Sequence, residues 1–156
     1  MLETINKISA EAYMLAPSQD TRIELSWEKV RDEIVALAAK IDYQPDIIIG
    51  IARGGMVPSI LISQQLNIEN IHALKVVKQG MGREVIAEVF TDVSGKNVLV
   101  VDDMLETGNG MKEVKKFLEA KGADVRTACL YVMPHTEFNP DYSLQGMTKV
   151  IKFPWD

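Results

Sequence analysis

The sequence contains few of the residues on which disulfide, zinc and thiol chemistry depend. Among its 156 residues, cysteine occurs once, at Cys129, and histidine twice, at His72 and His135. A single cysteine excludes an internal disulfide and fits a reducing compartment. Its apolar neighbours Ala128 and Leu130 indicate a buried core thiol rather than a nucleophile. Because His135 has neither a cysteine nor a second histidine close by, the ligand set of a zinc site is missing.

Long apolar runs and an excess of positive charge are lacking too. The sequence has no run of about 18 apolar residues, the length that a membrane-spanning helix needs. Its first residues lack the basic and then apolar order of a secretion signal. The net charge of −5 and the isoelectric point near 5.1 argue against a nucleic acid or a membrane surface as the main partner. We therefore expect a cytoplasmic protein with no nucleic-acid and no membrane partner.

The composition is that of an average folded domain. Hydrophobic residues make up 47% of the chain and charged residues 25%, and a chain of this length suits one domain. We expect residues 1–156 to form this domain, with residues 1–24 as an additional N-terminal helical extension. The apolar stripe of that extension consists of Leu2, Ile5, Ile8, Ala12, Tyr13 and Ala16, and Pro17 ends the helix.

The most informative stretch is residues 97–111. Residues 98–101 are apolar without polar alternation, which predicts a parallel strand buried on both faces. Asp102 and Asp103 follow at its carboxyl end, where open α/β sheets bind ligands. The loop of residues 106–110 then leads into a predicted helix, and a helix N-terminus binds anions. A carboxylate pair beside an anion-binding loop suits vicinal hydroxyls near a phosphate, as in a ribose 5-phosphate.

A second buried strand, at residues 46–51, is followed at once by Arg53, Gly54 and Gly55. Adjacent glycines allow a ligand to approach the backbone closely. The planar guanidinium of Arg53 suits phosphate oxygens. Taken by itself, however, this stretch is equally well a plain strand-to-helix turn with a surface arginine.

The remaining pattern predicts an α/β fold, a mostly parallel sheet flanked by helices on both faces. Helices are predicted at residues 27–41, 56–66 and 109–121, and further strands at 71–77, 125–132 and 149–153. Ser26 is placed to cap the first of these helices. The loop at residues 78–83 has two equal interpretations, a mobile lid or a hairpin connection into a strand at 84–90.

Three other interpretations compete for residues 97–111. A Walker B strand requires a G-x-x-x-x-G-K-[ST] partner, which the sequence lacks. A Rossmann fingerprint requires a third glycine at the position where Glu113 stands. The third interpretation is an ordinary core strand followed by a solvated acidic loop.

Three motifs resemble those of one enzyme family. Asp-Asp-Met-Leu-Glu-Thr-Gly at residues 102–108 closely resembles the motif with which type I phosphoribosyltransferases bind phosphoribosyl pyrophosphate (PRPP). Gly-Ile-Ala-Arg-Gly-Gly at 50–55 resembles the pyrophosphate-binding loop of that family, in which the bond corresponding to Arg53–Gly54 is often a cis peptide. Phe-Pro-Trp-Asp at 153–156 resembles the tail of microbial and archaeal xanthine, guanine and hypoxanthine phosphoribosyltransferases. The resemblance covers residues 25–156.

The resemblance implies the type I phosphoribosyltransferase fold, with a small hood formed by the chain termini. It implies a glycosyltransferase of purine salvage that transfers ribose 5-phosphate from PRPP to a purine and releases pyrophosphate. The catalytic residues would be Asp102, Asp103 and Glu106. The ribose and 5-phosphate would be bound by Asp102, Asp103, Glu106, Thr107, Gly108, Asn109 and Gly110. The pyrophosphate would be bound by Arg53, Gly54, Gly55 and Lys75, and the base by Met133, Phe153, Trp155 and Asp156.

The same resemblance implies Mg²⁺ as the cofactor, bound at Asp102 and Asp103 as a complex with PRPP. PRPP and a purine base would be the partners, and the protein would be a homodimer or homotetramer.

Three positions depart from the family pattern. Glu106 stands where purine enzymes commonly have Asp to accept a proton from the base. Gly110 stands where Thr or Ser binds the 5-phosphate. Met133 stands where Lys reads the 6-oxo group, and a thioether donates no hydrogen bond. We therefore expect poor discrimination between 6-oxo and 6-amino purines, and a pyrimidine base stays open. The alternative function is a PRPP- or nucleotide-binding protein of the same fold without base turnover.

Overall fold

We describe the protein from a computed structural model, which covers residues 22–86 and 91–156. The helix predicted within the N-terminal extension lies outside these residues, and the last two residues of the extension form a strand. In chain order the elements are β1 (Ile23–Glu24), α1 (Trp27–Lys40), β2 (Ile47–Ala52), α2 (Met56–Leu66), β3 (Ile71–Gln79), β4 (Gly82–Ile86), β5 (Asn97–Leu105), α3 (Asn109–Glu119), β6 (Asp124–Val132), β7 (Tyr142–Gly146) and β8 (Ile151–Lys152).

Six strands form the main sheet in the order β4-β3-β2-β5-β6-β7. All neighbouring strands in it are parallel, apart from the antiparallel pair β3 and β4. At the centre, Ile47 of β2 lies opposite Val98 of β5, and Gly50 lies opposite Val101. After β2 the chain adds β3 on one side, and it later adds β5 on the other. The predicted mostly parallel α/β sheet is confirmed.

The central strands are buried on both faces. Ile48 and Leu99 belong to one core cluster together with residues of α1 and α2. Ile49 and Val100 belong to a second cluster, together with residues of α3. Successive strand residues point to opposite faces, so a strand that serves both clusters has no place for alternating polar residues. Helices therefore flank both faces, as predicted.

The first helix illustrates how local signals and packing agree. The side chain of Ser26 accepts a hydrogen bond from the backbone N–H of Lys29 at 3.1 Å, which caps the helix. Val30, Ile34 and Leu37 recur at helical spacing and are fully buried. Burying each of these side chains contributes about 1.5–3 kcal/mol. This stripe therefore fixes α1 against the sheet.

The structure differs from the sequence-based prediction in two strands, and at a third segment it agrees with one of the two interpretations. Residues 71–86 form a hairpin, with β3 and β4 joined at Gly80 and Met81, so the hairpin interpretation describes this segment. Strand β5 continues through the two aspartates to Leu105 instead of ending at Val101. Strand β7 was not predicted, because its sequence Tyr-Ser-Leu-Gln-Gly is short and polar. It is a strand because it pairs with β6.

The two ends of the described chain form a second, small sheet. β1 pairs in parallel with β8, with Ile23 opposite Ile151. The expected hood from the termini is confirmed, and the strand predicted at residues 149–153 belongs to this hood rather than to the main sheet. Cys129 is buried in β6, and burial raises the pKa of its thiol, as expected of a core residue. No helix of the described residues is long and apolar enough to span a membrane.

Candidate active site

The loops that follow β2 and β5 meet at the carboxyl edge of the sheet, where the strand order reverses direction. Gly54 lies against Asp103, and a Cβ on Gly54 would come 2.8 Å from Oδ1 of Asp103. Gly55 is buried against the backbone of β5 at Val101. The peptide bond Ala52–Arg53 is cis, so the expectation of a cis bond at Arg53–Gly54 is wrong by one residue. Two motifs far apart in the sequence thus share one site.

Asp102 and Asp103 lie side by side near the end of β5. The N–H of Asp103 donates to Oδ1 of Asp102 at 2.9 Å, and the N–H of Met104 donates to Oδ1 of Asp103 at 2.7 Å. Burial and the charge of Asp103 raise the pKa of Asp102 well above its ordinary value. Burial also raises the pKa of Asp103, although a hydrogen bond from Trp155 opposes that rise. Perturbed, adjacent carboxylates are typical of functional sites.

The loop after β5 presents backbone N–H groups at the start of α3. Gly108 adopts a φ of 80°, and a Cβ there would come 2.6 Å from Cβ of Phe138, so the position requires glycine. The N–H of Asn109 donates to Oγ1 of Thr107 at 3.3 Å. The other N–H groups in the first turn of a helix have no partner within the helix. This loop can therefore bind a phosphate.

A second loop, at residues 133–138 after β6, supports the first. The hydroxyl of Thr136 lies 2.9 Å from the carbonyl oxygen of Leu105 and 2.5 Å from that of Glu106. The N–H of Glu137 donates to the carbonyl oxygen of Thr107 at 3.1 Å. This support could not be predicted from the sequence, because it depends on β5 and β6 being neighbours and no local pattern indicates it.

Two cavities adjoin the acid pair. The larger, of about 420 Å³, is lined by both aspartates and by Arg83, Glu106, Thr107, Gly108, Gly110, Phe153 and Asp156, among others. The second, of about 380 Å³, is lined by both aspartates and by Arg53, Gly54, Trp155 and Asp156, with Ile51 and Ala52. Asp102, Asp103 and Asp156 line both cavities. One extended ligand could therefore occupy both cavities while it contacts the acid pair.

The C-terminal tail, residues 153–156, lies beside the acid pair. The indole N–H of Trp155 donates to Oδ2 of Asp103 at 3.1 Å. The rings of Phe153 and Trp155 are stacked, with centroids 4.8 Å apart and planes 9° apart. Oδ2 of Asp156 accepts the N–H of Phe153 at 2.7 Å. Three of the four predicted base-binding residues are thus brought together.

Four predicted site residues line neither cavity, namely Gly55, Lys75, Asn109 and Met133. Gly55 and Asn109 belong to the two loops already described, whereas Lys75 and Met133 lie elsewhere. Lys75 lies in β3 opposite Ala52 of β2, and β2 separates β3 from the strand of the acid pair. Met133 follows β6, and its N–H donates to the carbonyl oxygen of Leu105 at 2.9 Å. Neither residue lines either cavity.

Arg83 lines the larger cavity from β4, and the sequence analysis did not assign it to the site. Across the hairpin it lies opposite Lys78, and like charges placed directly opposite each other are unfavourable. Within residues 22–86 and 91–156, neither cation has a carboxylate within ion-pair distance. An anionic ligand would relieve this repulsion. The feature of the sequence that could have indicated Arg83 is the pair of cations, Lys78 and Arg83, that flanks Gly80 and Gly82.

The described residues contain no group of three or more His, Cys, Asp or Glu side chains that could hold a metal ion. Asp102 and Asp103 by themselves would leave most coordination positions of a divalent cation to other oxygen ligands. A cation that enters together with a phosphate-containing ligand suits such a pair.

Comparison with known proteins agrees with this geometry. A xanthine-guanine phosphoribosyltransferase from Idiomarina loihiensis is 30% identical over 141 residues, which are 85% of this chain and 85% of that protein. An orotate phosphoribosyltransferase from Oceanobacillus iheyensis is 29% identical over 111 residues, which are 68% of this chain and 54% of that protein. The crystal structure of a purine phosphoribosyltransferase from Pyrococcus horikoshii has a TM-score of 0.81 and 33% identity, and the match covers 87% of this chain and 94% of that one.

The family model for the phosphoribosyl transferase domain matches residues 22–156, which is most of the chain. The matched range contains the Arg53 loop, the acid pair and the C-terminal tail. The chain therefore belongs to the phosphoribosyltransferase family, which is a family of glycosyltransferase enzymes.

Proposed function

We propose that the protein is a purine phosphoribosyltransferase of the hypoxanthine, guanine or xanthine type. It would transfer ribose 5-phosphate from PRPP to the base, release pyrophosphate and serve purine salvage in the cytoplasm. The observation that carries this proposal is the contact between Gly54 and Asp103. This contact supports a single ligand site bordered by the arginine- and glycine-containing loop and by the acid pair, as the two halves of PRPP require.

The ribose and its phosphate are the central part of the ligand. Asp102 and Asp103 accept hydrogen bonds from the 2- and 3-hydroxyls of the ribose. Both residues line both cavities and so are in reach of a ligand that occupies them. The N–H groups of the loop at residues 107–110 bind the 5-phosphate. Held at these two places, the sugar presents C1 in a fixed orientation, and such positioning supplies a large part of catalysis.

The pyrophosphate leaves from C1 with the electrons of the broken carbon–oxygen bond. Arg53 and the N–H groups of Gly54 and Gly55 stabilise the negative charge that develops on it. Arg83 adds a second cation from β4, and Lys75 adds positive charge from the strand next to this loop. A purine nitrogen forms the new bond to C1, and the carboxylate of Glu106 accepts the proton that this nitrogen loses.

Mg²⁺ fits this site as a cation that PRPP brings with it. The carboxylates of Asp102 and Asp103 line the larger cavity, and Mg²⁺ prefers such oxygen ligands. When bound, the ion neutralises charge on the pyrophosphate. Asp102 and Asp103 would hold it through the ribose hydroxyls of PRPP.

Two observations support a purine as the base. Phe153 and Asp156 line the larger cavity together with Glu106, so an aromatic ring and two carboxylates surround the space next to the ribose site. The relatives from Idiomarina loihiensis and Pyrococcus horikoshii are named for xanthine and guanine or for purine. The orotate relative makes a pyrimidine the rival that experiment must exclude.

A second candidate function is that of a PRPP- or nucleotide-binding protein without base turnover. It is favoured by Gly110, which brings no hydroxyl to the phosphate, and by Met133, which lies outside both cavities. The same fold and the same phosphate contacts would serve both functions.

Radiolabelled bases distinguish the two functions. The protein is incubated with PRPP, Mg²⁺ and labelled hypoxanthine, guanine, xanthine or adenine, and the nucleoside 5-monophosphates are counted. We expect product from at least one 6-oxopurine, and Asp103→Asn should lower turnover sharply while the protein stays folded. Measurable PRPP binding without product from any base would support the binding protein instead.

Arg53→Ala should weaken pyrophosphate binding more than base binding.

We also propose that the protein is a homodimer or homotetramer. Trp27 and Val35 of α1 and Ile60 of α2 are 58%, 43% and 44% exposed, which is high for large apolar side chains. Sedimentation velocity measures the oligomeric state directly, and a monomer at micromolar concentration would exclude it.

A further inference from the structure

Trp155 is the one aromatic residue of the described chain whose polar group contacts the acid pair. Its indole N–H donates to Oδ2 of Asp103 at 3.1 Å. The other oxygen, Oδ1, accepts the N–H of Met104 at 2.7 Å. Each carboxylate oxygen therefore has one fixed donor, and the rotation of the carboxylate about its bond to Cβ is set. Because a carboxylate oxygen accepts two hydrogen bonds, one position on each oxygen stays open for a hydroxyl.

The tail that carries Trp155 is itself held in place. The N–H of Phe153 donates to Oδ2 of Asp156 at 2.7 Å, and the N–H of Asp156 donates to the carbonyl oxygen of Phe153 at 3.1 Å. Phe153 is only 3% exposed, and its ring lies 6.0 Å from that of Tyr131. The tail is thus a closed turn packed on β6, and it holds the indole N–H in one position.

The surroundings of the indole ring do not favour its use as the stacking surface for the base. Phe153 already covers one face, with parallel rings 4.8 Å apart, and Trp27 lies 6.0 Å away at an angle of 53°. Trp155 also lines the cavity on the side of Arg53, whereas Glu106 and Phe153 line the other cavity. A base next to Glu106 would therefore lie in a cavity that Trp155 does not line.

We propose that Trp155 is a positioning residue, whose indole N–H orients the carboxylate of Asp103 toward the ribose hydroxyls of PRPP. This inference rests on the proposed function, because it assigns the ribose to the acid pair. It changes the role that the family resemblance implies for Trp155, from contact with the base to support of the sugar site. Base affinity then depends on the residues of the larger cavity.

The test compares Trp155→Phe with Trp27→Phe as a matched control. Trp155→Phe keeps an aromatic ring to stack on Phe153 and removes only the donor, whereas Trp27 has an exposed ring and no contact with Asp103. By calorimetry we expect the Kd for PRPP to rise about tenfold in Trp155→Phe, the size expected for one hydrogen bond to a charged group. The KM for the base should change by less than about twofold, since Trp155 does not line the cavity that contains Glu106 and Phe153. Trp27→Phe should leave both values unchanged.

Two results would overturn the inference. One is a raised KM for the base with an unchanged Kd for PRPP, which would make Trp155 a base-stacking residue. The other is a loss of thermal stability in Trp155→Phe with both constants unchanged, which would make its role purely structural. If the unmodified protein does not bind PRPP at all, the proposed function fails, and this inference fails with it. If the unmodified protein binds PRPP but Trp155→Phe and Trp27→Phe have the same Kd for PRPP, the inference is overturned and the proposed function is not.

Fluorescence tests the contact itself without any ligand or activity. In Trp27→Phe, Trp155 is the sole tryptophan, because the chain contains two. Introducing Asp103→Ala into this variant should shift the Trp155 emission maximum and change its quenching by acrylamide. Asp156→Asn, which leaves the acceptor on Asp103 intact, is the comparison and should cause a smaller change. An emission spectrum that does not respond to Asp103→Ala would show that the hydrogen bond does not form in solution, and would overturn the inference.

Discussion

Gly54 lies directly against the carboxylate of Asp103, so that a methyl group on Gly54 would come 2.7 Å from Cγ of Asp103. Carbon atoms that are not bonded do not approach so closely, and one of the two groups would have to move. The contact therefore links the position of the Arg53 loop to the orientation of the acid pair. PRPP needs both groups at once, because its ribose and its pyrophosphate are joined at C1.

Gly54→Ala should displace the Asp103 carboxylate and lower kcat/KM for PRPP by about a hundredfold, the loss that a misplacement of about 1 Å can cause. Gly146→Ala is the matched control. Gly146 lies in β7, and the nearest atom to a Cβ at that position would be 3.7 Å away. Steady-state kinetics and thermal unfolding of both variants check the prediction. A Gly54→Ala protein with normal PRPP kinetics would show that the two loops do not act together.

Asp102→Asn should make the ligand-free protein more stable at pH 7. Burial and the neighbouring charge raise the pKa of Asp102 in the folded state. A carboxyl with a raised pKa destabilises the fold once the pH rises above its unfolded pKa of about 3.9, and the penalty grows until the pH passes the folded pKa. The amide should therefore raise the free energy of unfolding at pH 7.

The advantage of Asp102→Asn should shrink as the pH falls and should be lost below the unfolded pKa of about 3.9, where the wild-type carboxyl is protonated in both states. Urea unfolding at several pH values gives the comparison. Asp32→Asn, on the exposed surface of α1, serves as a control and should show no comparable gain. If Asp102→Asn is less stable than the wild type at pH 7, the assignment of a buried, unfavourable charge is wrong.

Gly110→Thr should strengthen the binding of PRPP. A Cβ at Gly110 would have no atom within 4 Å apart from its chain neighbours and the backbone of its own helix, so the position has room for a side chain. Its hydroxyl would add a donor to the N-terminus of α3, where the proposed 5-phosphate lies. One added hydrogen bond to a charged group should lower the Kd for PRPP by about tenfold. Gly110→Ala adds a methyl group without the hydroxyl. Equal gains in PRPP affinity for both variants, measured by calorimetry, would refute a phosphate contact.

Met133→Lys should raise activity toward hypoxanthine or guanine relative to adenine. A lysine donates the hydrogen bond to the 6-oxo group that a thioether cannot donate. The backbone N–H of residue 133 donates to the carbonyl oxygen of Leu105. Leu105 directly precedes Glu106, so the lysine side chain would start near the proposed proton acceptor. The measurement is the ratio of kcat/KM values for the two bases in both proteins. An unchanged ratio in a folded variant would mean that other groups, such as Asp156, select the base.

Much of the fold could be predicted, because the central strands carry a local signal. A strand that is buried on both faces must be continuously apolar, and residues 98–101 have this pattern whatever their neighbours are. The Ser26 cap and the apolar stripe of α1 are local signals too. Strand β7 has no such signal. Its residues become a strand only because β6 offers a free edge, with Ala128 opposite Tyr142.

The site divides in the same way. Arg53 directly follows β2, and Asp102 and Asp103 directly follow the continuous apolar run of β5, so their place near the carboxyl edge of the sheet could be predicted from the sequence. Thr136 could not, because its hydroxyl supports Leu105 and Glu106 from a loop that belongs to the neighbouring strand. The contact between Trp155 and Asp103 joins the last residues of the chain to the middle of the sequence. Only the folded chain brings such groups together.

A competition between bases tests the central claim most directly. The protein is given PRPP, Mg²⁺ and an equimolar mixture of hypoxanthine, guanine, xanthine, adenine, orotate and uracil, and the nucleotides are identified by mass together with the pyrophosphate released. The account predicts purine nucleoside monophosphates, with a 6-oxopurine product among them and one pyrophosphate for each nucleotide. Formation of only the orotate or uracil nucleotide, or of no nucleotide from any base, would contradict it.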